Sequence, residues 1–177
     1  ELLHFLHGVS PDGMELAFVG VEAEQDGEKL RFRSAEIYTM KSDGTACRQI
    51  TSAGAPADGP EYSPDGAWLY FNTEAFSENS QIARMRRDGS GLERLTFTEN
   101  VDWFPHVSPD GHAIVYLAYP SGTRGHPADI WVELMVVRDG DWQKPMRAAR
   151  IFGGQGTVNV NSWSPDSRRF AYVAYPM

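Results

Sequence analysis

The chain has 177 residues, a length typical of one domain, and its hydrophobic share of 41% is enough to build a core. Its net charge of −8 at pH 7 argues against binding to nucleic acid, because contact with phosphates requires a basic surface. No apolar run approaches the roughly 20 residues that a membrane-spanning helix requires, so no transmembrane segment is expected. The single cysteine, Cys47, excludes a disulfide within the chain.

A tetrapeptide repeat organises the sequence. Three copies of Ser-Pro-Asp-Gly begin at Ser10, Ser63 and Ser108, and a fourth copy, Ser-Pro-Asp-Ser, begins at Ser164. The intervals between these serines are 53, 45 and 56 residues. Self-similarity with a period of about 40–50 residues indicates a propeller or another repeat array.

Each copy forms a turn in front of a predicted strand. Proline sets the backbone angle at the first corner of such a turn, and glycine accepts positive φ at its end. Apolar residues six and eight positions after the serine have the period-two spacing of a strand with one buried face. They are Leu16 and Phe18, Leu69 and Phe71, Ile114 and Tyr116, and Phe170 and Tyr172.

A second turn, Asp-Gly, completes each unit at Asp43, Asp88 and Asp139. Strand-like runs precede it at 36–40, 81–85 and 131–137, and follow it in the first two units at 47–51 and 92–96. Four antiparallel strands in about 45 residues are the blade of a β-propeller. The sequence therefore predicts an all-β fold built from four-stranded antiparallel blades.

Two insertions lengthen the units, at 22–34 in the first and at 120–129 in the third. Because 22–30 is polar and interrupted by glycine, it is predicted to be a loop. The last strand pair is predicted at 161–175. The whole chain, 1–177, is one propeller region with blade units at about 5–57, 58–102 and 103–158 and a partial unit at 159–177.

These copies resemble the propeller repeat of the TolB family, also described as the PD40 or WD40-like repeat. The runs GPEYSPDG at 59–66, DWFPH at 102–106 and FGGQGT at 152–157 are similar to those of TolB-related bacterial proteins of largely unassigned role. The resemblance implies a six-bladed, TolB-like ring of which about 3.5 blades are present. It also implies a periplasmic location if a signal peptide precedes Glu1, and a cytoplasmic one otherwise.

An open arc of blades would expose an apolar face at each end, which favours a covering partner. We expect the chain to be the C-terminal part of a longer propeller. If further N-terminal blades do not close the ring, we expect copies of the chain to form a homo-oligomer.

The rim of the central channel is the predicted ligand site. The first strand of each blade lines the channel, so polar residues at equivalent positions before the serines should converge there. The candidates are Asp58, Glu61, Asp102, His106, Asn159, Asn161 and His7. The alternative is that these groups only solvate a water-filled channel and cap strand ends.

A metal site is the more specific form of this prediction. His7 and His106 occupy near-equivalent positions, where they could share a metal with Glu61 or Asp102. No short-range ligand motif such as His-Glu-x-x-His occurs. The repeated Ser and Asp are not interpreted as a catalytic triad, because they recur in every turn and no Gly-x-Ser-x-Gly motif is present.

Two functions are consistent with these observations. The first is a non-enzymatic, TolB-like scaffold that binds a protein or a cell-envelope ligand at the channel mouth and loops, without a cofactor. The alternative rests on the similar propeller of oligogalacturonate lyases: a metal-dependent polysaccharide lyase with one His-coordinated divalent metal, such as Mn or Ca, on the axis. The two differ in whether at least three ligand-type side chains meet near His106.

Overall fold

The computed structural model describes residues 2–27 and 29–176, where twelve strands form three four-stranded antiparallel sheets. Each sheet takes its strands in chain order. The strands are β1 Leu2–Val9, β2 Glu15–Asp26, β3 Lys29–Lys41, β4 Arg48–Gln49, β5 Ala57–Tyr62, β6 Trp68–Thr73, β7 Gln81–Arg86, β8 Glu93–Arg94, β9 Val101–Val107, β10 Ala113–Tyr119, β11 Ala128–Arg138 and β12 Met146–Gly154. Within these ranges no helix is long and apolar enough to cross a bilayer. The predicted all-β fold of four-stranded antiparallel blades is confirmed.

The Ser-Pro-Asp-Gly turns are held by their own side chains. Ser108 Oγ donates to Asp110 Oδ1 at 2.6 Å and accepts from the Ala113 amide at 2.9 Å, while Asp110 Oδ1 accepts from the His112 amide at 3.0 Å. The other three copies repeat the Ser–Asp bond at 2.5–2.6 Å. In all four copies the bond from serine is the main cause of a lowered aspartate pKa, and the pKa of Asp12 falls to about 2. These residues therefore shape the turn.

The inner strands β1, β5 and β9 lie side by side and each carries a bulge at an equivalent place. His7, Gly59–Pro60 and Phe104–Pro105 have no partner in the ladders to β2, β6 and β10. A bulge bends its strand and changes the direction of the neighbouring side chains. The three bulges thus decide where the candidate residues point.

Each pair of adjacent sheets encloses an apolar core. Ile37 of the first sheet packs with Phe71 of the second, and Ile82 of the second packs with Tyr116 of the third. All four side chains are buried, and full burial of a large apolar side chain contributes about 1.5–3 kcal/mol. This packing fixes the inner strands relative to one another.

The prediction of a loop at 22–30 is wrong. β2 continues to Asp26 and pairs with β3 from Lys29, so the first blade extends into a long hairpin; Glu28 lies outside the described residues. Gly27 supplies φ +63° at the turn, and Arg33 Nη2 bonds Glu24 Oε2 at 2.5 Å across the strands. Residues 22–28, which include the end of β2, are almost all polar, so this part of the sequence lacks the apolar alternation that marks a strand.

The strand pair predicted at 161–175 is also wrong, because this segment has only one isolated bridge, Trp163 to Phe170. A two-stranded ladder without a third strand is marginally stable. Contacts with the third sheet hold the segment instead: both rings pack on the core of that sheet, and the Tyr175 amide donates to Phe152 O at 2.8 Å.

Candidate functional site

Three ionisable side chains meet beside the bulges of the inner strands. His7 Nε2 lies 3.3 Å from Asp58 Oδ1, and His126 Nε2 lies 3.9 Å from Asp58 Oδ2. His7 comes from the first blade, Asp58 from the second, and His126 from the loop between β10 and β11 of the third. Their side chains are 14%, 22% and 29% exposed, so solvent reaches all three. Together with Phe104 they are here named the rim cluster.

Aromatic rings form the wall of the rim cluster. The Phe104 ring stacks on His7, with centroids 6.2 Å apart, and meets the edge of His126 at 5.2 Å. Trp103 also meets His126, with ring centroids 4.3 Å apart, and lies next to Phe104 at 5.4 Å. His126 Nδ1 is buried and has no hydrogen-bond partner among the described residues. The cluster therefore combines an apolar wall with polar atoms that are incompletely paired.

The backbone at Phe104 is strained. Its φ is +54°, a left-handed conformation that costs a residue with a side chain roughly 1–2 kcal/mol. Gly59 occupies the equivalent position of the second blade with φ +64°, where glycine adopts this conformation freely. The same bulge thus carries a buried phenylalanine only in the third blade, beside His7 and His126. Strain of this kind concentrates at functional sites.

A second group of candidates, here named the interior network, joins the buried residues Glu61 and His106 to Asn161, which lies at the surface. Glu61 Oε2 lies 2.6 Å from His106 Nδ1, and Glu61 Oε1 accepts from the Val107 amide at 2.9 Å and from Asn161 Nδ2 at 2.6 Å. His106 Nε2 lies 2.8 Å from Val158 O. The network joins the second blade, the third blade and the segment that follows it.

Both ring nitrogens of His106 face oxygen atoms, which restricts the ring nitrogens that can carry a hydrogen. A carbonyl oxygen only accepts, so Nε2 carries a hydrogen for Val158 O. Nδ1 then either carries a second hydrogen toward an ionised Glu61 or accepts one from a protonated Glu61. In both cases one proton lies between the two side chains. Neither His106 nitrogen is left for another ligand.

Asp102 is buried on the opposite face of β9 from Trp103, as alternation along a strand requires. Asp102 Oδ2 accepts from Thr98 Oγ1 at 3.1 Å, and Oδ1 has no partner among the described residues. Burial raises the pKa of Asp102 to about 6. Asn159 serves a turn, where its Oδ1 accepts from the Gly156 amide at 2.9 Å.

The structure therefore divides the seven candidates. It brings His7 and Asp58 together in the rim cluster, places Glu61, His106 and Asn161 in the interior network, and leaves Asp102 and Asn159 in other surroundings. His126 is a residue that the sequence reasoning missed. A topological signal was available, because in antiparallel blades the link from the second to the third strand lies at the edge where the first strand begins.

No group of three or more His, Cys, Asp or Glu among residues 2–27 and 29–176 is arranged to hold a metal ion. His7 and His106 do not converge on a common site, since His7 faces Asp58 and both His106 nitrogens are bonded. The arrangement favours hydrogen bonding and electrostatic binding at the rim cluster.

Comparison with known proteins places the chain in a family. The TolB beta propeller domain, PD40, matches residues 7–127. The chain therefore belongs to the TolB beta propeller family, as the repeats predicted.

Relatives agree with this assignment. The chain is 39% identical over 175 residues to the uncharacterized protein Atu1656 of Agrobacterium fabrum, covering 99% of this chain and 56% of that protein. A TolB-like structure from Agrobacterium tumefaciens is 36% identical with a TM-score of 0.87, covering 100% of this chain and 60% of the other. TolB from Acinetobacter baumannii shares the fold at 20% identity and a TM-score of 0.68, covering 94% and 36%. The chain thus spans somewhat more than half of its closely similar relatives.

Proposed function

We propose that this chain is a non-enzymatic, TolB-like propeller scaffold that binds a protein or cell-envelope ligand at the mouth of its channel, through the rim cluster. The observation that carries the proposal is the convergence of His7, Asp58 and His126, from three blades, around the strained Phe104. These side chains are partly exposed, and Asp58 Oδ2 and both ring nitrogens of His126 form no hydrogen bond with the described residues. A few convergent polar groups beside an apolar wall suit a ligand.

The interior network has a different role in this proposal. The side chains of His106 and Glu61 are only 4% and 11% exposed, and their polar atoms are bonded within the protein. They hold adjacent blades in register and thereby set the positions of the rim residues. Binding at the rim needs no cofactor.

No specific observation favours the metal-dependent lyase. An oligogalacturonate lyase in complex with manganese shares the fold at 13% identity and a TM-score of 0.58, which is a similarity of architecture alone. The described part of this chain has no ligand set for a metal near His106.

A fragment screen tests the proposed site. Neutral, cationic and anionic fragments are titrated into ¹⁵N-labelled protein, and the amide signals of Gly59, Trp103 and His126 are followed. We expect some fragments to shift these signals and to bind at least 10-fold more weakly to His126→Ala. The matched control is His112→Ala, because His112 pairs with Asp139 at 2.8 Å on an exposed turn.

Two results would overturn the proposal. The first is that fragments of every class leave the rim signals unchanged. The second is that His126→Ala and His112→Ala bind the rim fragments as well as the original protein does.

A further inference from the structure

Asp58 presents an unpaired carboxylate oxygen at the rim cluster. Its Oδ1 accepts from the Gly59 amide at 2.6 Å and faces His7 Nε2 at 3.3 Å. Its Oδ2 accepts no hydrogen bond from the described residues, since His126 Nε2 at 3.9 Å is beyond hydrogen-bond distance. This partly exposed carboxylate oxygen has free lone pairs and is therefore available to a donor group of a ligand.

We propose that the rim cluster binds an organic cation, namely the guanidinium or ammonium group of a basic side chain in a partner peptide. This inference rests on the proposed function and names the chemistry of its ligand. The cation donates to Asp58 Oδ2, and a hydrogen bond between two charged groups is stronger than one between neutral groups. A donor nitrogen between Oδ2 and His126 Nε2 reaches both atoms when Nε2 is the unprotonated ring nitrogen.

The surrounding loops carry a net negative charge, which attracts a cation. The loops at the edge where β5 and β9 begin contact one another: the Glu74 amide donates to Pro56 O, and Asn79 Nδ2 donates to Glu99 O. In loops 50–56, 73–80, 97–100, 120–127 and 153–160 the charged residues are Glu74, Glu78, Glu99 and Arg124. With Asp58, these loops carry four carboxylates and one guanidinium. The link between β2 and β3 at the same edge, 23–33, adds three acidic and three basic residues, so the net charge stays negative, which increases the association rate of a basic partner.

The aromatic wall strengthens the attraction. Phe104 and Trp103 are 2% and 6% exposed and exclude water from one side of the site. A charge pair at an apolar wall is screened less than one in open solvent. An anionic ligand would face repulsion from Asp58 at the same place.

Peptides of similar shape but different charge test whether the ligand is a cation. Acetyl-Gly-Arg-Gly-amide is compared with the citrulline peptide, which has nearly the same shape but no charge, and with the Lys and Glu peptides, by ¹⁵N NMR titration at 20 mM salt. We expect the Arg and Lys peptides to shift the Gly59 and His126 signals and to bind at least 10-fold more tightly than the citrulline peptide. Asp58→Asn should remove this preference, whereas Asp139→Asn, at the exposed His112 pair, should retain it.

The outcomes separate this inference from the proposed function. If the citrulline or Glu peptide binds the rim as tightly as the Arg peptide, the ligand is not a cation, although the rim still binds ligands. If no peptide shifts the rim signals, the cation is excluded, and the fragment screen alone decides whether the rim binds anything. If Asp58→Asn does not fold, salt decides: the affinity of the original protein for the Arg peptide should fall steeply from 20 to 300 mM NaCl, and a constant affinity overturns the inference.

Discussion

The carboxylate of Glu61 and the ring of His106 meet at 2.6 Å, although they belong to different blades and are 45 positions apart in the chain. Both residues are buried, at 8% and 3% exposure. A buried pair of this kind is strongly destabilised when one partner is removed, because the other is left without compensation. It connects adjacent blades through polar side chains rather than through the apolar core.

Glu61→Gln should fold nearly as stably as the original protein. Glutamine Oε1 accepts from the Val107 amide and Asn161, while its Nε2–H donates to a neutral His106 Nδ1. Glu61→Ala removes these partners and should lower the free energy of unfolding by about 3–5 kcal/mol. Urea denaturation measures both, with Glu24→Ala at an exposed ion pair as the control. If the Gln and Ala variants lose the same free energy of unfolding, the assigned hydrogen bonds are contradicted.

Phe104→Gly should be more stable than Phe104→Ala, by about 1 kcal/mol, although both lose the ring. Alanine keeps the left-handed strain at φ +54°, and glycine relieves it. Inside an ordinary strand the order is reversed, since glycine is less stable than alanine by about 0.5–1 kcal/mol. Leu117, in β10 and without a positive φ, provides the control pair for the same urea measurements. An alanine variant at 104 more stable than the glycine variant would show that the strain is absent.

Asp102 should make stability depend on pH. Burial raises its pKa to about 6 in the folded protein, above the value near 3.9 of an unfolded chain. The folded state therefore binds the proton more tightly, and ionisation of Asp102 destabilises it as pH rises through 6. The difference between the two pKa values corresponds to a loss of stability of about 2–3 kcal/mol. This loss is fully present above the pKa of the folded protein and absent below the pKa of the unfolded chain.

Asp102→Asn removes this titration and keeps an acceptor for Thr98. Its stability relative to the original protein should rise by about 2–3 kcal/mol between pH 3.5 and pH 7.5. Chemical denaturation at several pH values measures the difference, and the exposed Asp26→Asn serves as a second reference. A pH-independent difference for Asp102→Asn would mean that the carboxyl is not perturbed by burial.

Ser108→Ala should cost more stability than Ser164→Ala, although the two serines make the same bonds in the same motif. Ser108 is fully buried and its Oγ accepts from the Ala113 amide, so its loss leaves that buried amide unsatisfied, at a cost of about 1–3 kcal/mol. Water replaces the corresponding partners at Ser164, where the bonds are exposed. Thermal unfolding compares the variants, and an equal decrease in Tm would argue against burial as the cause.

The repeats predicted the blades because their signals are local. A Ser-Pro-Asp-Gly turn specifies its backbone with four consecutive residues, and the pair Leu69 and Phe71 marks a half-buried strand without reference to any other blade. The 22–30 hairpin escaped prediction because its first strand is almost all polar up to Asp26. Cross-strand pairs such as Glu24 and Arg33 stabilise it, and a pattern read along one strand does not reveal them.

The sequence by itself determined the blade and its turns, because each follows from short-range geometry that recurs along the chain. Only the tertiary structure decided which inner-strand residues face solvent and which face one another. The bulge at Gly59–Pro60 turns side chains by an amount that spacing does not encode, so Asp58 lies at the rim while Glu61, three residues later, is buried against His106. His126 joins the rim from a loop, and its position depends on how the blades pack.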